Sequence, residues 1–340
     1  MRITTHAWLA LCAALGAGAA ARAQGSAEPP LPPPGRLIDV GGWRMHLDCR
    51  GAARPGEPTV ILEAGAGDFS TEWYNLLPRV APFARVCAYD RAGHGWSALG
   101  PHPRTMRQQV WELRTLLARA GERPPYALVG QSYGAVVAQL YAATHPADVA
   151  AVVLVDGGRL DPWRMLDGKL VHLNETATGQ PVPAVQTANP IRVADIPAWA
   201  MTQIEAAARQ LAPGANDPPR HLLPDDAQRM RAWALWQPKH YAAHANPFEG
   251  EELALLIAEQ RKSAYPLGDR PLVVLTAGHV EYGADPAMEE DRRRAQAALV
   301  RLSRAGRQLV VDGSGHHVHI DRPAVVADAI REVLAAARGR

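Results

Sequence analysis

Beyond residue 36 the chain alternates between short apolar runs and amphipathic stretches, separated by Gly, Pro or Asp. Residues 37–40, 44–49, 59–63, 85–90 and 126–130 have the length, the β-rich composition and the flanking turn residues of strands. Residues 151–155, 271–276 and 308–311 extend the series to eight. The later runs are almost wholly apolar, the pattern of central parallel strands covered on both faces. Between them, residues 105–120 place Val110, Leu113, Leu116 and Leu117 at helical spacing, and a last helix is expected over 323–337. This alternation predicts an α/β fold.

Residues 158–266 break the rhythm. They are helix-rich and strand-poor, and hold Trp163, Trp199, Trp233 and Trp236, four of the nine tryptophans. The run Leu272-Val273-Val274-Leu275 then resumes the sheet pattern. A helical cap inserted between strands six and seven therefore fits better than a separate second domain. The core is expected over 36–157 and 267–340. So many tryptophans imply a largely apolar pocket, although Trp233 and Trp236, at helical spacing, also suit a cap core.

The first 23 residues do not read as part of the fold. Arg2 supplies a positive start, Ala7 to Ala20 is nearly all apolar or small, and Ala21-Arg22-Ala23 matches a signal-peptide cleavage site. Leu11 precedes Cys12 where a lipoprotein signal needs a small residue, so no lipid anchor is expected. Residues 24–35, QGSAEPPLPPPG, form a proline-rich linker expected to be extended and poorly ordered. The expected product is exported, periplasmic or secreted, with no stable membrane anchor.

Composition narrows the function. Hydrophobic residues at 47% and charged residues at 21% match soluble globular proteins, which excludes disorder and a multi-span membrane protein. Removing residues 1–23 takes away Arg2 and Arg22 and no acid, so the formal charge falls from +2 to 0. A neutral chain argues against nucleic-acid binding. Three cysteines are too few for a disulfide scaffold or a Cys-rich zinc module.

Gly130-Gln131-Ser132-Tyr133-Gly134 follows one strand and opens a helix that Pro146 ends. This strand–turn–helix setting gives G-x-S-x-G its meaning: a tight turn presents the hydroxyl, and the glycines remove colliding β-carbons. Serine alone is a weak nucleophile and needs a base. A structural glycine-rich turn is the alternative.

With Glu63-Ala64-Gly65-Ala66-Gly67, Asp90-Arg91-Ala92-Gly93-His94-Gly95-Trp96-Ser97 and Gly313-Ser314-Gly315-His316, the motif resembles the α/β-hydrolase superfamily across residues 36–340. The resemblance implies a mostly parallel eight-stranded sheet flanked by helices. It implies Ser132 as nucleophile and His316 as general base. The acid follows the sixth or the seventh strand, which leaves Asp156, Glu281 and Asp285. Asp156 is preferred because a strand end orients an imidazole rigidly, whereas Glu281 lies in a polar turn. The amides of Tyr133 and Ala66 are the implied oxyanion hole, although Ala64-Gly65 stands where the superfamily commonly has His-Gly. Strands two and four are neighbours in this fold, so Cys49 and Cys87 are expected to form a disulfide; two buried free thiols are the alternative.

His317 and His319 crowd His316, but three histidines within four residues converge poorly on one ion, so no metal is expected. No dinucleotide or Walker loop is present, so no cofactor is expected. The expectation is a serine hydrolase acting on a small or moderately apolar ester. Perhydrolysis or C–C bond hydrolysis with the same triad, or a non-catalytic binding protein, are the rivals. Epoxide and haloalkane chemistry are disfavoured because both use a carboxylate where Ser132 stands.

Overall fold

The computed structural model describes residues 29–158, 160, 163–166, 169–244, 246–279 and 286–338. The expected signal segment, Glu281 and Asp285 lie outside the described residues.

The strands are β1 (Arg36–Asp39), β2 (Arg44–Arg50), β3 (Thr59–Glu63), β4 (Val86–Tyr89), β5 (Tyr126–Gln131) and β6 (Val149–Val155). They continue with β7 (Trp163–Leu166), β8 (Lys169–His172), β9 (Leu272–Ala277) and β10 (Gly306–Val311). Eight of them form one sheet in the order β1-β2-β4-β3-β5-β6-β9-β10, and β7 pairs only with β8. β1–β2 and β2–β4 are antiparallel, and every later pairing in the sheet is parallel.

Helices are α1 (Leu77–Val80), α2 (Met106–Ala120), α3 (Tyr133–Thr144), α4 (Ala198–Leu211) and α5 (Asp225–Ala234). After them come α6 (Pro238–Ala242), α7 (Glu249–Gln260), α8 (Pro286–Leu299), α9 (Val318–Asp321) and α10 (Pro323–Arg338).

The apolar runs explain the layering. Along β3, Ile61 joins a core with α2 and α3, while Val60 and Leu62 join a second core with α1 and α10. Successive strand residues face opposite sides, so a run apolar at every position is covered twice. α2 starts where the Thr105 hydroxyl accepts the Gln108 amide at 3.1 Å and stops at Gly121, φ 81°.

Cys49 and Cys87 sit opposite each other in the β2–β4 register and are joined by a disulfide, as the strand order implies.

Two features depart from the sequence pattern. The β7–β8 hairpin lies inside a stretch read as strand-poor. The proline-rich segment, expected to be loose, is pinned at its described end. Trp96 Nε1 donates to the Leu31 carbonyl at 3.0 Å, and His46 Nε2 lies 2.5 Å from the Pro34 carbonyl. Leu31 also packs on the cluster of Phe69, Trp96 and Met230. An apolar residue among the prolines, opposite an indole with a free N–H, gives this segment something to bind.

Candidate active site

The site assembles where β3, β5, β6 and β10 end on the same edge of the sheet. At the β5–α3 turn, Ser132 has φ 51° and ψ −121°, a backbone state rare for a non-glycine residue. It is held there because Ser132 N donates to the Val155 carbonyl at 3.2 Å and Gly158 N donates to the Ser132 carbonyl at 2.6 Å. A β-carbon on Gly130 would lie 2.5 Å from the Gly134 carbonyl oxygen, and one on Gly134 would lie 2.3 Å from that of Glu63. Both motif glycines are therefore required by close backbone approach.

Asp156 follows β6 with φ 39°. Its amide donates to the Leu275 carbonyl at 2.7 Å, and its carboxylate is fully engaged. Oδ1 accepts from Ala277 N at 3.0 Å and from Arg292 Nη1 at 2.8 Å; Oδ2 meets His316 Nδ1 at 2.7 Å. A carboxylate can only accept, so Nδ1 carries the proton and Nε2 is the basic nitrogen. The loop before His316 is tied down by Gly278 N and His279 N, which both donate to the Ser314 carbonyl, and by Gly315 N, which donates to Asp321. Gln131, beside Ser132, donates to the His316 carbonyl at 3.3 Å. The structure thus brings Asp156 and His316 into contact next to the Ser132 turn.

Arg91 shapes the loop after β3. Its guanidinium is buried, pairs with Glu63, and donates to the carbonyls of Ala64 (2.7 Å), Gly65 and Asp68 (3.4 Å). The preceding Asp90 accepts from Ser70 N and Trp96 N and pairs with His46, fixing the turn that aims Arg91. Ala66, Tyr133 and Ser132 all line a pocket of about 340 Å³, where both amides expected to hold an oxyanion belong to bordering residues.

That pocket is not the apolar slot expected from the tryptophans. None of Trp199, Trp233 and Trp236 lines it, and Trp199 is 67% exposed. Its wall mixes Val136, Leu253 and Ala243 with Arg91, His94, Gln109, His244, Asn246 and Glu249. The segment between β6 and β9 brings His244, Asn246 and Glu249 to the pocket wall, and Trp199, Trp233 and Trp236 lie elsewhere.

Behind the site lies a buried charge cluster. Asp68 pairs with Arg220 (3.0 Å) and Arg231 (2.8 Å), and Glu72 pairs with Arg231 (2.6 Å). Burial alone would raise the Asp68 carboxyl, but Arg220 and Arg231 outweigh it and hold it low. Burial and then the Asp68 charge push Glu72 up. His317 Nε2 accepts from Arg220 at 2.8 Å; burial and then that guanidinium push His317 down to about 3. His319 packs on Trp73, with ring centroids 4.4 Å apart. Ligand atoms of Asp68, Glu72 and His317 lie close enough to share an ion, but Arg220 and Arg231 occupy the place a cation would take.

A model of the alpha/beta hydrolase family matches residues 60–329. The chain belongs to that family. As an alpha/beta hydrolase it is similar to the uncharacterized protein YqjL of Bacillus subtilis, 26% identical over 302 residues, covering 89% of this chain and 92% of that one. Among solved structures it resembles the epoxide hydrolase CorEH, with a TM-score of 0.59, 20% identity, and coverage of 88% of this chain and 98% of that one. It also resembles the enol-lactonase of Burkholderia xenovorans LB400, with a TM-score of 0.58, 17% identity, and coverage of 88% and 100%. Family membership makes the protein a hydrolase of small molecules.

Some working residues of this hydrolase escaped the sequence reading. Arg91 lies inside the motif Asp90–Ser97, whose glycines mark a turn without saying what the arginine holds. Arg292 is one of three consecutive arginines on α8, and nothing in the sequence separates it from its neighbours. His94 and His244 come together only when the segment after β6 folds over the sheet.

Proposed function

We propose that this hydrolase cleaves carboxylic esters through an acyl-enzyme on Ser132. The observation that carries the reading is the 2.7 Å contact between His316 and Asp156 beside the strained Ser132 turn. Ser132 Oγ attacks the carbonyl carbon as its proton passes to His316 Nε2. The resulting oxyanion is met by the amides of Ala66 and Tyr133. His316 returns the proton to the leaving alcohol, and water, activated by the same histidine, releases the acid. Asp156 holds the imidazole tautomer and balances its positive charge, while Arg292 and Ala277 N hold Asp156.

A serine nucleophile in place of the carboxylate that epoxide opening uses supports acyl transfer over epoxide opening, and ester cleavage is the acyl transfer proposed. Export is part of the proposal: residues 1–23 carry a signal pattern, and the Cys49–Cys87 disulfide suits an oxidising compartment.

A fluorophosphonate probe read by intact mass should add one label to the wild type and none to Ser132→Ala, alongside turnover of p-nitrophenyl butyrate. An unlabelled wild type, or equal labelling of the variant, refutes the reading.

A further inference from the structure

Three imidazoles meet at the wall of the Ser132 pocket. His94 comes from the turn after β4, His240 from α6, and His244 from just beyond it. Their ring centroids are 5.0, 5.1 and 5.2 Å apart, with interplanar angles of 64–69°. His94 and His244 line the pocket itself. A β-carbon on Gly67, in the loop after β3, would sit 3.3 Å from His244 Nε2 and 3.8 Å from His240 Nε2, so only glycine leaves these nitrogens open to that loop.

The nitrogens are under-used. His94 is 3% exposed, yet among the described residues neither of its ring nitrogens has a hydrogen-bond partner, nor has Nδ1 of His240. Buried polar atoms are nearly always paired, and each unpaired one costs stability. His94, unsatisfied at the pocket wall, is therefore explained best by what enters the pocket. Burial, then the neighbouring imidazoles, hold His94 far below its ordinary pKa; burial acts likewise on His240, followed by His244. Each neutral ring offers one donor and one acceptor.

The charges around them are spent. Arg91 is committed to Glu63 and three carbonyls, and Arg104, also on the wall, makes paired bonds to Glu112 at 2.7 Å. Glu249 adds a carboxylate to the same pocket. This environment disfavours an anion. A metal fits poorly too: the three imidazoles are absent from the residue sets whose ligand atoms converge among the described residues.

We propose that the pocket beside Ser132 receives an uncharged acyl group bearing a hydroxyl or keto oxygen, hydrogen-bonded by His94. This deepens the ester-hydrolase reading and rests on it. Apolar Val136, Leu253 and Ala243 take the carbon chain, and His94 takes the oxygen. Because the same ring donates and accepts, a hydroxyl or a carbonyl can be matched, whereas a plain alkyl chain leaves the nitrogens unpaired.

The test compares kcat/KM for ethyl hexanoate, ethyl 3-hydroxyhexanoate, ethyl 3-oxohexanoate and monoethyl succinate with the full-length wild type. At least one oxygenated neutral ester should exceed ethyl hexanoate tenfold or more, and monoethyl succinate should be poorest. In His94→Leu the ratio of oxygenated to plain ester should collapse toward one, and His94→Phe serves as the second variant should His94→Leu misfold. Turnover with no preference, a preference for the succinate, or a ratio that survives both substitutions overturns the inference and leaves the ester-hydrolase reading standing. No turnover of any ester, with no fluorophosphonate label, sinks that reading and this inference with it.

Discussion

At the scale of single residues, the site depends on two backbone states that the chain resists and the fold imposes. Ser132 and Asp156 both have positive φ, and neither is glycine. Each is clamped by main-chain bonds to adjacent strands, so the cost is borne by the sheet. Asp156→Asn should keep the fold but favour the wrong imidazole tautomer, lowering kcat by about 10⁴. Glu281→Gln should leave kcat within about threefold. A collapse of kcat in the second variant alone, measured with p-nitrophenyl butyrate, would reassign the acid. Much of this scale was legible in the sequence. Ser132 and its glycines are a local pattern, and His316 follows a strand through two glycines. Asp156 could be favoured over Glu281 because a strand end is a rigid place. The bond from Arg292 to Asp156 crosses 136 residues and leaves no periodic trace.

At the scale of elements, the segment between β6 and β9 is fastened to the sheet through charge as well as apolar contact. Arg231, on α5, reaches Asp68 across 163 residues and Glu72 across 159, all three side chains being buried. Removing one partner of such a cluster strands the others in low dielectric. Arg231→Met should therefore lower unfolding free energy by about 3 kcal/mol in urea titration; a loss below about 1 kcal/mol would mean the cluster is better solvated than its burial implies. The strands were readable from apolar runs because the physics is local. The cluster was not: Asp68, Glu72, Arg220 and Arg231 look in sequence like ordinary surface charges, and only the fold makes them interior. The tryptophans misled for the converse reason, since an aromatic residue marks apolar contact without saying on which side of its helix the pocket lies.

At the scale of the whole molecule, histidines link stability to acidity. His94, His240, His317 and His319 are all held below the ordinary value near 6.5, burial being the largest cause in each. The unfolded chain takes up protons below about pH 6.5 while these folded histidines do not, so stability present above that pH drains away as pH falls. His46 acts in the opposite sense, because Asp90 outweighs burial and raises it. With His102, His145 and His244 depressed by burial in the same way, seven against one predicts a lower urea midpoint at pH 4.5 than at 7.5, each depressed histidine costing up to about 1.4 kcal/mol per pH unit. A flat midpoint would contradict this. The disulfide acts at the same scale, closing a loop with a sequence separation of 38. Its reduction should cost about 4 kcal/mol by chain entropy, seen as a lower melting temperature with dithiothreitol. In a chain lacking residues 1–23, and so Cys12, alkylation should add two labels only after reduction; labelling of that unreduced chain would show that Cys49 and Cys87 are free thiols.

The pinned proline-rich segment decides where the polypeptide can be shortened. A start at Arg36 would keep every strand, yet it would strip the carbonyl from the Trp96 indole, remove the partner of Nε2 of buried His46, and uncover the apolar cluster under Leu31. A start before Leu31 keeps all three. On the proposed export, cleavage after Ala23 leaves Leu31 and Pro34 in place, and the backbone around them stays held against the body of the protein.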